Sequence, residues 1–209
     1  ESFEECTIAV VGPGASADGR PLLFKNRDSG YVDNEVVYRA DYRAGAWTGT
    51  VRANYISATG EVQGNSPWLY HDTATLLAAT DWNAGRRIVT RKPGGTNVPF
   101  RWGSLDGAQQ AALGTATTGP VLLNYVRGDR SNEAPAGTKL RARESVQGDT
   151  QHSTLVYWTH PGGEKRLYVG GNDGMLHAFN ATTGAEVFAY VPSMLISKLP
   201  SLAPLPREK

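Results

Sequence analysis

Few side chains in this sequence are reactive or metal-ligating, and their spacing limits the chemistry open to them. Cys6 is the single cysteine among 209 residues, which rules out an intrachain disulfide and any Cys-rich zinc site. It reads either as a small buried strand residue or as a thiol nucleophile. The four histidines, at positions 71, 152, 160 and 177, share no ligand spacing. His177 stands between Leu176 and Ala178, which predicts a strand residue that packs or faces a channel. No Asp-x-Asp-x-Asp-Gly run offers a calcium loop, and Glu144 and Asp149 are isolated acids in a predicted loop. Asn172-Asp173-Gly174 brings a single carboxylate, too few for calcium, and reads as a hairpin turn. No metal is expected.

Two further sets of residues suggest binding rather than catalysis. Arg127-Gly128-Asp129 is the tripeptide that integrin-type receptors read when a loop presents the guanidinium and the carboxylate at opposite ends. The same residues also read as a helix that ends at Gly128, with Asp129 and Arg130 solvated or paired. The tryptophans, at 47, 68, 82, 102 and 158, suit either a carbohydrate platform or core positions.

The elements that must position these residues are short strands. Gly 24 and Pro 12, with five Trp and nine Tyr, predict many turns between aromatic-bearing strands. The apolar fraction of 40% fits a globular chain of one sizeable core. A formal net charge of +1, from 21 basic and 20 acidic residues, gives no electrostatic reason to expect nucleic acid or an anionic membrane as partner. No apolar run reaches the roughly 20 residues that cross a bilayer, so no membrane span is expected. The chain opens with neither an initiator Met nor a signal-like segment, which predicts processing or a fragment.

Thr7–Val11, Leu22–Phe24 and Glu35–Tyr38 read as strands separated by Gly12-Pro13-Gly14, Asp18-Gly19 and a polar loop. Trp47–Tyr55 alternates large and small residues before a turn at Ala58-Thr59-Gly60. Downstream, Arg166–Gly171, Met175–Phe179 and Val187–Val191 read as three strands joined at Asn172-Asp173-Gly174 and Thr182-Thr183-Gly184. Both regions share one order: Gly, a short strand with an inner Ala, a Thr-Gly turn, then Glu. Glycine supplies the positive φ of each reversal, and small residues allow close strand packing. Repeated hairpins split by an unlike insert suit propeller blades, one of which carries a long loop. Inside that insert, Asp72 is expected to cap a helix over Thr73–Ala79, Ser104 one over Leu105–Leu113, and Pro120 to sit in the first turn of Val121–Arg127. The tail from Pro192 is expected to lie over the surface.

At this point the residues become recognisable. Leu167–Phe179 followed by Tyr190-Val191-Pro192-Ser193 resembles the signature blade of the PilY/PilC-type adhesins of type IV pilus tips. Tyr125–Glu133, Pro99–Trp102 with Leu105 and Gln109-Gln110, and Trp47–Ala53 are similar to further hallmark segments in the same order, so the resemblance spans roughly residues 36–205. It implies a secreted propeller that helps pili assemble, retract and attach. Pilins or minor pilins, and a host-cell receptor, would be the partners. The family's calcium loop has no counterpart here, and a blade over Glu144–Thr154 is expected to be shortened or irregular. A quinone-type dehydrogenase propeller shares the Asp-Gly-x-Leu-x-Ala blade, yet one such blade cannot surround a cofactor, so no cofactor is expected.

A shorter resemblance covers residues 6–38. Cys6–Val11, Ala17–Leu23 and Lys25–Asp28 look like the start of an N-terminal-nucleophile amidohydrolase of the penicillin acyltransferase type. It would make Cys6 the nucleophile, in the company of Asn26, Arg27 and Asp28. Glu1–Glu5 ahead of Cys6 leave it without a free α-amine, and the strands bearing that family's oxyanion donors have no counterpart after residue 40. The expected fold class is therefore mainly β, a partial propeller with short helical insertions. It divides into residues 1–38, of uncertain origin, and a propeller segment over 39–209. The expected function is non-enzymatic pilus assembly and surface adhesion, outside the cell or at the pilus tip after periplasmic transit. An open arc of blades would leave sheet faces and strand edges bare, so further chain or a partner is expected to complete it.

Overall fold

The computed structural model of the chain describes residues 8–11, 22–25, 30–33, 36–43, 48–134, 140–151 and 153–203. In chain order it runs β1 (Ile8–Val11), β2 (Leu22–Lys25), β3 (Gly30–Asp33), β4 (Val36–Arg43), β5 (Thr48–Tyr55), α1 (Thr73–Ala78), β6 (Ile88–Arg91), β7 (Asn97–Pro99), a 3₁₀ turn (Trp102–Ser104), α2 (Gly107–Leu113) and α3 (Thr118–Arg127). Then come β8 (Val156–Thr159), β9 (Lys165–Gly171), β10 (Met175–Asn180), β11 (Glu186–Val191) and a 3₁₀ segment (Ser193–Leu202). The molecule is mainly β. Strands β1 and β2 form a two-stranded sheet, β3-β4-β5 a second sheet, and β7-β6-β11-β10-β9-β8 a third.

The six-stranded sheet is antiparallel except where β11 lies parallel to β6, with Tyr190 opposite Val89. That parallel pair follows from the helical insert, since a parallel partner needs a long crossover. Cross-strand partners share a face. Leu167, Val169, Met175, His177, Phe179, Ala189, Val191, Ile88 and Thr90 all lie on one face, and all are buried. Helices α2 and α3 and the 3₁₀ segment cover the end of that face near β6, forming one apolar cluster around Phe100, Leu123, Ile196 and Leu199. Strands β4 and β5, with Trp68 and Leu77, cover the other end, forming a second cluster around Val51, Leu167, Val169 and Phe179. On the opposite face of the sheet Val156, Trp158 and Leu176 are exposed, and no other described element packs over them.

Local chemistry accounts for the helix ends. Asp72 caps α1 by accepting from the Thr75 N–H at 2.8 Å, as its position predicts. Helix α2 does not start at Ser104. That residue closes the 3₁₀ turn, and Asp106 caps the helix instead: its carboxylate accepts from Gln109 N at 2.9 Å while Gln109 Oε1 accepts from Asp106 N at 3.2 Å. This reciprocal pair satisfies two otherwise orphaned donors, which a lone serine two residues earlier cannot do. Helix α3 ends at Gly128 with φ 122°. The tail also differs from expectation. Ile196 and Leu199, three apart on a 3₁₀ turn, are both buried in the first cluster rather than laid over the surface. The division expected between residues 38 and 39 falls inside β4, which pairs along its whole length with β5.

Candidate functional site

The two apolar clusters meet at a polar seam on β10. Met175, His177 and Phe179 alternate onto the buried face, and His177 is fully buried between two carboxylates. Its Nε2 lies 2.9 Å from Asp173 Oδ2 and its Nδ1 2.9 Å from Glu186 Oε1. The hairpin sequence explains the first contact, since Asp173 turns back over the strand four residues before His177. A β-bulge explains the second. The register between β10 and β11 shifts after Ala178, so that Phe179 faces Glu186 rather than Val187, and Glu186 is thereby turned inward.

Arg86 completes the set, its Nε and Nη2 each donating to the Glu186 carboxylate at 2.8 Å in a two-pronged pair. The same guanidinium donates through Nη1 to the Arg127 carbonyl at the end of α3, at 2.8 Å. Asp173 also accepts from Gly148 N at 2.9 Å and Met175 N at 3.1 Å. Two cations and two anions thus share a largely buried volume, and the signs of their pKa shifts follow. Burial pushes the His177 pKa down, but Asp173 and Glu186 overcome it and raise it to about 9. Burial raises the Glu186 pKa, yet the bonds from Arg86 and His177 bring it down to about 2. Asp173 is likewise held below the ordinary carboxylate range, its burial outweighed by His177 and the Gly148 N–H. Both ring nitrogens of His177 are occupied by carboxylates, so the cluster joins strands, turn and helix end instead of activating a nucleophile.

Arg127 sits beside this seam. It is 1% exposed, donating at 3.2 Å to the carbonyls of Phe100, Trp82 and Asn83, with its guanidinium 5.8 Å from the Trp82 ring centre. Its neighbour Gly128 is also buried, while Asp129 accepts from Ser131 N at 2.9 Å. The Arg-Gly-Asp tripeptide is therefore a helix terminus with an inward arginine, and the guanidinium is not offered on a loop to a receptor. Beyond it, Glu133 pairs with Arg143 at 2.8 Å and with Arg130 at 3.2 Å, and the Arg143 guanidinium lies 3.7 Å above the Tyr125 ring.

The remaining candidates scatter. Cys6, Asn26, Arg27 and Asp28 lie outside the described residues, as do His152 and Trp47. Trp68 is core and donates to Ala181 O at 2.9 Å, whereas Trp158 is 57% exposed on the edge strand β8. His160 meets the Tyr168 hydroxyl at 2.9 Å. Asp149 accepts from Gln151 N at 2.7 Å. Among the described residues no three His, Cys, Asp or Glu side chains are grouped to hold a metal, and no helix is long and apolar enough to cross a membrane. Arg86 was invisible to sequence reasoning. Glu186 was visible as the Glu that follows the Thr-Gly turn, but its counterpart in the earlier hairpin, Glu61, is exposed, so the repeat alone could not mark it as an ion partner.

Sequence comparison supplies relatives for the chain. No protein-family model matches the chain, and no solved structure matches it. It is 31% identical over 238 aligned positions to the type IV pilus biogenesis factor PilY1 of Pseudomonas aeruginosa strain PAK, a match covering 96% of this chain and 20% of that protein. It is 31% identical over 193 positions to a PilY1 homolog of Xylella fastidiosa, covering 78% of this chain and 14% of that protein. Coverage of 96% means that the first match reaches well into residues 1–38. The chain spans a fifth or less of the length of these curated relatives. By sequence along nearly all of its length, the chain belongs with the PilY1-type type IV pilus factors.

Proposed function

We propose that this chain is a non-enzymatic module of a type IV pilus biogenesis factor, acting in pilus assembly and surface attachment. The observation that carries the reading is the match to PilY1 over 96% of the chain. The fold supports it physically. The six-stranded sheet has one face closed by helices and β4–β5, and one face where exposed Val156, Trp158 and Leu176 surround the half-buried rings of Tyr168, Phe188 and Tyr190. Tyr168 and Phe188 meet edge-on at 6.4 Å over the buried Ala178, a laterally packed aromatic surface of the kind used for sheet-on-sheet contact. In a partial propeller this face belongs against a neighbouring blade, and pilins or minor pilins dock on the assembled domain. A host-cell receptor is the further partner of an adhesin. The work is done outside the cell or at the pilus tip after passage through the periplasm, and it needs no cofactor and no nucleic acid.

The test is genetic. In a piliated bacterium carrying this chain within its pilus factor, removing residues 36–203 is expected to abolish surface pili, twitching and attachment, whereas Cys6→Ala leaves all three at wild-type level. Normal piliation after the deletion, or loss of piliation with Cys6→Ala, would overturn the reading.

A further inference from the structure

A cavity of about 460 Å³ opens between the loop preceding β6 and the β6–β7 hairpin. Arg86, Arg87, Arg101 and Arg127 line it, and among the described residues no acidic side chain does. Arg86 is neutralised by Glu186; the other three are not so matched among the described residues. Glu186 is engaged by Arg86 and His177, and Asp81 in the adjoining loop accepts from the N–H groups of Asn83 and Ala84 at 2.7 and 2.9 Å. Arg127 is the telling residue. It is buried, and among the described residues no carboxylate pairs with it and its Nε is a buried donor without an acceptor. Carbonyl oxygens supply partial charge only, and a buried cation lacking a counterion is costly. The pKa of Arg127 reflects this, pushed down to about 10 by burial and by the neighbouring positive charge of Arg101 and Arg86.

The rim is arranged in advance. Arg101 is exposed but tethered, donating through Nη1 to Asn83 Oδ1 and through Nη2 to Asn83 O, both at 2.6 Å. Arg87 is exposed on the same side. Ile88, Val89, Val98 and Pro99 add apolar wall. A site of guanidinium groups set in apolar wall suits a single negative charge on an apolar body. Bare phosphate or sulfate gains nothing from such walls and keeps more of its hydration in water.

We propose that this cavity is a docking site for a peptide carboxylate flanked by apolar residues, held at the rim by Arg87 and Arg101 above the uncompensated charge of Arg127. The inference stands on the cavity alone and does not require the pilus reading. A peptide presents such a carboxylate either on an acidic side chain or at its C-terminus, and both fit the same arginines.

The experiment titrates the whole chain with three fluorescently labelled tripeptides: blocked Phe-Glu-Phe amide, Phe-Gln-Phe with a free C-terminal carboxylate, and Phe-Gln-Phe amide as the uncharged control. One or both charged peptides are expected to bind about tenfold or more tightly than the control, and to weaken as salt rises from about 0.05 M to about 0.5 M. Preference between the first two identifies the source of the carboxylate. The double variant Arg87→Ser/Arg101→Ser changes exposed positions only, and is expected to lose about tenfold in affinity with an unchanged unfolding midpoint. No binding, equal binding of the amide control, or full affinity in the double variant would overturn the proposal. So would displacement of the charged peptides by inorganic phosphate at concentrations where chloride is inert, which would make the cavity a phosphate site.

Discussion

Replacing His177 by Gln tests whether the seam between the two clusters is a charged network. The folded pKa of His177, about 9, lies above its ordinary value of 6.5, so the native state holds the proton more tightly than the unfolded chain does. A difference of that size corresponds to about 3 kcal/mol of stability. The sign is fixed: the stabilisation is fully present below about pH 6.5 and is lost as pH rises through about 9. Glu186 and Asp173, both lowered, act at the other end. Their stabilisation is present above the ordinary carboxylate range and is lost as pH falls, for Glu186 down through about 2. The two losses describe the same bonds and do not add.

Guanidinium unfolding followed by tryptophan fluorescence, at about pH 6 and about pH 9.5, reads this directly. The wild-type chain should lose up to about 3 kcal/mol between the two, with a slope never steeper than one proton, about 1.4 kcal/mol per pH unit. His177→Gln leaves two buried carboxylates facing a neutral amide, so it should be about 3–5 kcal/mol less stable at the lower pH. Its stability should then change little toward the higher pH, because the group that loses its proton is gone. Any alkaline loss from other groups is common to both chains and cancels in the difference. Parallel decline of the two proteins would refute the reasoning, since it would show that His177 is neutral throughout and that the seam is held by hydrogen bonds alone.

Two structural substitutions test the local assignments. Asp106→Ala should cost about 1 kcal/mol by removing a helix cap, while Ser104→Ala should be near neutral, read as a difference in denaturation midpoint; the reverse order would return the start of α2 to Ser104. Gly148→Ala should cost about 2–4 kcal/mol, because the new methyl would collide with the Asp173 backbone nitrogen at the turn that orients the His177 carboxylate partner. Gly64→Ala, where a methyl meets nothing within 4 Å, is the matched control and should be neutral.

Much of the scaffold was legible because its signals are local. Asp-Gly and Thr-Gly pairs fix where chains reverse, and Gly174 and Gly184 do adopt φ of 86° and 74°. A cap followed by an apolar run gives α1, and glycine after an apolar run gives the end of α3 at Gly128. Other short strands escaped even though Pro93-Gly94-Gly95 and Pro161-Gly162-Gly163 mark turns beside them. β6, β7 and β8 are three or four residues long, too short for alternation to stand out from chance. The buried tail escaped for the opposite reason, because its prolines read as surface irregularity while its apolar spacing of three belongs to a 3₁₀ helix.

The polar interior was not legible because it depends on register. Glu186 and Val187 are adjacent and either could face His177; a single bulge decides in favour of the acid. Arg86 lies 100 residues from Glu186 in sequence, and its placement rests on the parallel pairing of β11 with β6, which no local pattern announces. Once those two facts are given, the rest is forced. An inward glutamate beside a histidine that already contacts Asp173 would put two buried carboxylates on one imidazole, and only a second cation makes that tolerable. The same constraint exposes Arg127 as the exception, a buried guanidinium for which the described chain supplies carbonyls and no carboxylate.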